Sequence, residues 1–240
     1  MGTFRRYRTA LSRHHRSRGF GIHSPHAFKF VRWVLRERLP YYSYPAIESI
    51  HKAVASMSGS RWRRKADISL SNAKMLFRVT NYANPSAMLQ VGAGSGLASS
   101  CMLAVNSRST ITLCDPQPTA HPAAQRVLEP WGNRITCRDN IAAAIMHYRK
   151  NQENAGGNPF VLIDHLPSGT DSNALLAYLN EILAGTAVVV MRNLNNDSAL
   201  NDLWLQCKHA MPMGQTFNNE KIAILIASPK LQREDFFLWL

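Results

Sequence analysis

Between residues 86 and 192 the chain repeats one pattern. A short run rich in apolar and β-branched residues (AMLQV, TITLC, RITC, PFVLI and TAVVVM in turn) ends at a polar or glycine turn, and a stretch with helical spacing follows. Strands that are apolar without alternation are buried on both faces, which calls for helices above and below a parallel sheet. KIAILIAS and DFFLWL add two further β-rich runs near the end. The expectation is an α/β fold: a Rossmann-like, doubly wound, mostly parallel seven-stranded sheet with helices on both faces, preceded by a short helical N-terminal extension.

Local signals place the helices. Ser24 followed by Pro25 reads as an N-cap with proline at the first helical position, where its missing N–H costs nothing. Phe28, Val31, Val34, Leu35 and Leu39 recur at helical spacing up to Pro40. A second short helix is expected in YYSYPAIESIHKAVASM, then a loop through SGSRWRRK. SNAKMLFRVTNYA reads as a helix capped by Ser71, and Asp139-Asn140 opens the helix IAAAIMHYRK. At 240 residues and 45% hydrophobic the chain can bury one substantial core. Residues 1–65 are read as a basic arm and helical extension, and residues 66–240 as the main domain.

Charge is unevenly placed. Residues 1–65 hold fifteen basic side chains against two acidic ones, a balance of +13 that equals the net charge of the whole chain. The first 18 residues have too few apolar positions to pack. A basic arm on a neutral body suits an anionic partner such as RNA, an acidic protein or a phospholipid headgroup; its other reading is a solvated arm. No run of about 18 apolar residues could span a bilayer, and no apolar segment follows the first arginines, so a cytoplasmic protein is expected. Cys101, Cys114, Cys137 and Cys207 lack C-x-x-C spacing and read as reduced structural thiols. The aromatic residues of the N-terminal helices leave a homodimer open.

LQVGAGSG carries Gly92, Gly94 and Gly96 at alternate positions. A strand, a glycine turn and a helix set free backbone N–H groups beside the carboxyl ends of the strands, which makes a nucleotide-type site. The dinucleotide fingerprint G-x-G-x-x-G is not met, since Leu97 stands where its third glycine belongs, and the P-loop motif is absent. GAGSG after the first strand, with Asp115 ending the second in TLCDPQP, resembles motif one of the class I S-adenosylmethionine-dependent methyltransferases. The resemblance implies that the glycine turn approaches the methionine half of the cofactor and that Asp115 accepts both ribose hydroxyls. The same mapping sets Asp139 at the adenine amino group, with helix capping as its alternative role. Gln90 stands two residues before the first glycine, where this superfamily commonly has an acid, and an amide brings no carboxylate there. GFGIHSPHAF, MLFRVTNY and LQREDFFLW together resemble a bacterial branch of O-methyltransferase-like proteins that open with Gly-Phe-Gly-x-His-Ser-Pro.

The strand ends bear on chemistry. In catechol-type O-methyltransferases strand four ends in Asp-x-Asp-Lys and strand five in Asp-Asn, and the two carboxylates and amide hold magnesium. This chain has Asp164-His165-Leu166-Pro167 and Arg192-Asn193 instead. Arg192 replaces the second carboxylate and can pair with Asp164, so no metal is expected. His165 is then the candidate base, and with the adjacent Asp164 it makes the expected catalytic pair. The resulting expectation is a metal-independent methyltransferase acting on an oxygen or nitrogen of an unidentified acceptor. The competing expectation is a catalytically silent protein of the same fold that binds RNA or a protein partner through its arm.

Overall fold

The computed structural model describes residues 22–57 and 68–238. The expectations for the first 18 residues and for the SGSRWRRK loop lie outside these. Two helices come first: α1, Pro25–Phe30, continued by a π turn, Val31–Leu35, and α2, Tyr44–Met57. Then follow α3 (Leu70–Ala83), β1 (Ala87–Val91), α4 (Leu97–Leu103), β2 (Thr110–Cys114) and α5 (Ala124–Leu128). Next are β3 (Ile135–Arg138), α6 (Ile141–Ala155), β4 (Phe160–Ile163), α7 (Ser172–Leu183) and β5 (Ala187–Arg192). The chain closes with α8 (Ser198–Ala210), β6 (Gly214–Asn218), β7 (Ile222–Ala227) and β8 (Glu234–Phe237).

The sheet order is β3-β2-β1-β4-β5-β7-β6-β8. Among the described residues it has eight strands, one more than the seven expected, and it is mixed: β7 runs antiparallel to β5 and β6, and the other pairings are parallel. The strand absent from the sequence expectation is β6, GQTFN, which carries only one large apolar residue. It is nonetheless buried, Gln215 and Thr216 included, because those side chains find partners on other elements.

Side-chain alternation along the strands divides the interior into two cores. Met88, Ile111, Leu113, Leu162, Val190 and Ile224 face α1 to α5. Their neighbours Leu89, Val91, Val161, Ile163, Val189 and Leu225 face α6, α7 and α8. The strands are therefore apolar throughout because each face has its own helical layer.

The N-terminal helices share the first core. Ser24 caps α1 by accepting from Ala27 N, as the Ser-Pro pair implies. The helical expectation overruns at its end, for the helix stops at Leu35 and Leu39 is exposed. For α3 the cap is Ser69, not Ser71: its side chain accepts from Asn72 N. Asn140 caps α6 by accepting from Ala143 N. Phe30 of α1 packs 4.8 Å from Phe217 of β6, which lies 5.2 Å from Phe236 of β8.

A polar cluster closes the same seam. The Gln215 amide donates to Ser24 Oγ at 2.7 Å and to Glu234 Oε2 at 2.8 Å. Its carbonyl oxygen accepts from His26 Nδ1 at 2.6 Å, and His26 Nε2 meets the Tyr82 hydroxyl at 2.7 Å. Residues from HSPHAF, from MLFRVTNY and from LQREDFFLW thus converge on one buried glutamine.

Phe217 should carry a large share of this seam. Phe217→Ala is expected to cost about 3–5 kcal/mol of stability in urea unfolding, with one transition seen by both near- and far-ultraviolet circular dichroism, because both ends of the chain share its core.

Candidate functional site

Strand order reverses between β1 and β4, so the chains leaving these two strands diverge and open a crevice at the carboxyl edge. The cleft there has a volume of about 650 Å³. Gly94, Asp115, Gln117, His121, His165 and Asn193 are among its lining residues.

The glycine turn forms one wall. Gly92, Gly94 and Gly96 have φ of +84°, +54° and +80°, a region that side-chain-bearing residues avoid. Gly92 is further confined: a Cβ there would lie 2.5 Å from His165 Nδ1 and 2.7 Å from the His165 carbonyl oxygen. The alternate spacing visible in the sequence is therefore a left-handed backbone on which an imidazole ring lies.

Polar groups brace the turn. Gly92 N donates to Cys114 O at 2.9 Å. Gln90 is fully buried; its amide donates to Gly92 O at 2.8 Å and its carbonyl oxygen accepts from Ser99 Oγ at 2.7 Å. Gln90 thus meets the cleft only through the loop it supports. Ser99, on α4, carries no motif of its own, and the sequence reading did not identify it.

Asp115 sits at the end of β2, 8% exposed, and lines the cleft. Its Oδ2 accepts from Ala93 N and its Oδ1 from Gln117 N, both at 2.8 Å. A carboxylate offers about four lone-pair sites, so each oxygen retains capacity for a ligand. His165 Nε2 lies 3.9 Å from Asp115 Oδ2. Burial holds the His165 imidazole below the ordinary histidine value, while Asp115 and Asp197 pull it upward. The net direction is down, so His165 is neutral at neutral pH.

Asp164 and Arg192 lie deeper. Both are buried, at 2% and 4% exposure, and the Arg192 guanidinium pairs with Asp164 Oδ1 as the strand ends suggested. Asn193, with φ of +64°, donates from Nδ2 to Asp164 O at 2.9 Å. Asp139 is elsewhere: it is exposed, accepts from the Asn140 side chain, and is not among the residues lining the cleft. His121 is an addition to the sequence reading. It is buried, accepts from Ala123 N at 3.1 Å and lines the cleft.

The cysteines are free thiols, and burial pushes Cys101 and Cys207 up to about 12. They are un-ionised and not nucleophilic.

No family model matches the chain, and no curated protein matches it by sequence. Solved structures do match in fold. An O-methyltransferase from Bacillus cereus, solved in complex with SAH, superposes with a TM-score of 0.51 at 15% identity, covering 81% of this chain and 96% of that one. A methyltransferase from Geobacter sulfurreducens gives 0.51 at 17% identity, over 82% and 95% of the two chains. An SAH-bound methyltransferase from Podospora anserina gives 0.50 at 10% identity, over 87% and 98%. At these identities the likeness establishes the α/β methyltransferase-type fold of this chain.

The buried pair beneath the cleft generates a stability test. Arg192→Met strands the Asp164 carboxylate without its counter-ion and should cost about 3–5 kcal/mol. The double variant Arg192→Met/Asp164→Leu, which removes both charges, should recover most of that loss in the same urea titration.

Proposed function

We propose that the cleft binds S-adenosylmethionine and that the chain is a methyltransferase acting, without a catalytic metal, on an oxygen or nitrogen of an acceptor. Asp115 carries this reading: a carboxylate at the end of β2, positioned by two backbone amides, with an unspent lone pair on each oxygen. Two adjacent hydroxyls of a ribose match two adjacent acceptors. The glycine turn is left-handed at all three positions and presents Gly94 to the cleft, whose volume lies within the range of small-molecule sites.

The bound cofactor supplies a methyl group on a cationic sulfur; the chain's own residues supply position and proton handling. A neutral His165 adds no positive charge to the cleft that would hold the cationic group, and its free nitrogen lone pair is able to take the acceptor's proton. Asp164 does not share this work, because its carboxylate is spent on Arg192. The same pair supports the metal-free reading. Of the groups matching the catechol-type metal site, Asp164 is already neutralised, Arg192 is itself a cation, and the Asn193 amide is turned onto the Asp164 backbone. Rate enhancement then comes mainly from holding two reactants in line within a walled cleft.

Calorimetric titration of the full chain with S-adenosylhomocysteine is the direct test. Saturable stoichiometric binding is expected, and no heat at millimolar ligand would overturn the proposal. Asp115→Asn should weaken that binding by at least about tenfold, or roughly 1.4 kcal/mol, because it removes the charge-assisted acceptor.

The pH dependence follows from His165. Its value is lowered in the folded protein, so the basic form persists above the ordinary histidine range and is lost only on the acid side of it. Methyl transfer to a model acceptor should be flat with pH on the alkaline side and fall off in acid, and His165→Gln should abolish the acid limb. Transfer should also survive chelation; stoichiometric magnesium binding that raised the rate would refute the metal-free step.

A further inference from the structure

The outward face of α1 and its π turn is not uniformly polar, and among the described residues nothing covers it. Phe28, Lys29, Arg32 and Trp33 follow one another along it at helical spacing, and all four are exposed. Phe28 is 39% and Trp33 58% accessible, and the Arg32 guanidinium lies 5.8 Å from the Trp33 ring centre. In the turn that follows, Leu39 and Tyr42 stand in solvent at 65% and 83%.

The same turn folds over a second cleft, of about 570 Å³, whose charged lining is Arg36, Glu37, Arg38, Glu48, Lys74 and Arg78. Cations outnumber carboxylates there. Lys74 pairs with Glu48, and one Glu37 oxygen is engaged by the backbone N–H groups of Arg38 and Leu39. Arg78, 8% exposed, is held by the Val34 and Leu35 carbonyls at 2.6 and 2.8 Å and by the Tyr44 hydroxyl at 3.0 Å. Its partners are neutral, so its charge is fixed in place and still faces the cleft.

We propose that this face docks on a membrane surface bearing anionic phospholipid, with Trp33, Leu39 and Tyr42 in the interfacial layer and headgroup phosphates over the basic cleft. Aromatic and aliphatic side chains beside arginines and lysines are the composition that an interfacial helix needs. The charge is complementary: among the described residues, 22–57 hold Lys29, Arg32, Arg36, Arg38 and Lys52 against Glu37 and Glu48, a balance of +3 on this part of the chain. A second copy of the chain would bring like charge against like. Nucleic acid would satisfy the arginines and stack on the rings, yet it offers nothing apolar to Leu39. Among the described residues no helix is long and apolar enough to cross a membrane, so the contact proposed is a surface one.

Co-sedimentation of the full chain with vesicles tests this. Binding is expected to vesicles of phosphatidylcholine mixed with phosphatidylglycerol, not to phosphatidylcholine alone, and to weaken as salt screens the charge. The variant Trp33→Ser/Leu39→Ser/Tyr42→Ser should reduce vesicle affinity by at least about tenfold with its thermal midpoint unchanged. If that variant loses stability, Leu39→Ser/Tyr42→Ser, confined to the turn, should still reduce it. No binding to the mixed vesicles, or full binding by a folded variant, would overturn the proposal. So would tight binding of single-stranded RNA that the same variants abolish, with vesicles left unbound. Binding of S-adenosylhomocysteine should be the same in all these variants, which separates this surface from the cleft at the glycine turn.

Discussion

Three residues in left-handed conformation within one five-residue turn leave backbone groups that neither strand nor helix can pair, and each must be satisfied from elsewhere. Gly92 N reaches Cys114 O, Ala93 N reaches Asp115, and Gly92 O takes the Gln90 amide. These partners come from the ends of β1 and β2 and hold their places only because the sheet register holds. Asp115 N donates to Arg138 O and Asp164 N to Val91 O, which extends the ladder to the rim of the cleft. The geometry of the turn is thus a property of the whole carboxyl edge. Asp115 is both a brace for the loop and the group that faces a ligand.

Two carboxylates at this edge have opposite fates. Asp115 keeps open acceptor sites toward the cleft, while Asp164 is sealed against Arg192. A buried pair of this kind repays its desolvation poorly, so it is better understood as specifying an arrangement than as a source of stability. It leaves a buried, nearly neutral pair next in sequence to His165, whose ring rests over Gly92. An imidazole confined between a glycine turn and a carboxylate is held in orientation by packing and not by a partner that would consume its lone pair.

The fold was legible wherever burial is apolar. β1, β2, β4, β5 and β7 follow the continuous hydrophobic runs, and Ser24 and Asn140 cap helices as their positions suggested. β6 was not legible, because Gln215 and Thr216 are buried by virtue of partners far away in the chain: Ser24, His26, Glu234 and Asp235. No local pattern encodes such a contact. Ser69 caps α3 where the sequence pointed to the competing serine two residues on, and Leu39 lost its place on the helix when the chain left the π turn. Within the site, the motif spacing pointed to the glycines and Asp115, and the strand ends pointed to the Arg192–Asp164 pair. The orientation of His165, the burial of Gln90 behind Ser99, and the absence of Asp139 from the residues lining the cleft depend on side-chain directions that spacing alone does not carry.

The clasp at Gln215 also bears on the order in which the chain can be assembled. Its bonds to Ser24 and His26 join residues separated by 191 and 189 positions. Among the described residues α1 can settle on α3 once that helix is made, with Phe30 against Tyr82 and the Val34 and Leu35 carbonyls taking Arg78, but its clasp to the sheet comes later. That clasp must wait until β6 and then β8 have been made, and closing so long a loop is among the slower steps a small domain faces. During that interval Phe30, Val31 and Val34 have no partner on the sheet. The helix is thus secured in two stages, on α3 early and at the sheet edge late, and its sheet-facing apolar residues stay open in between.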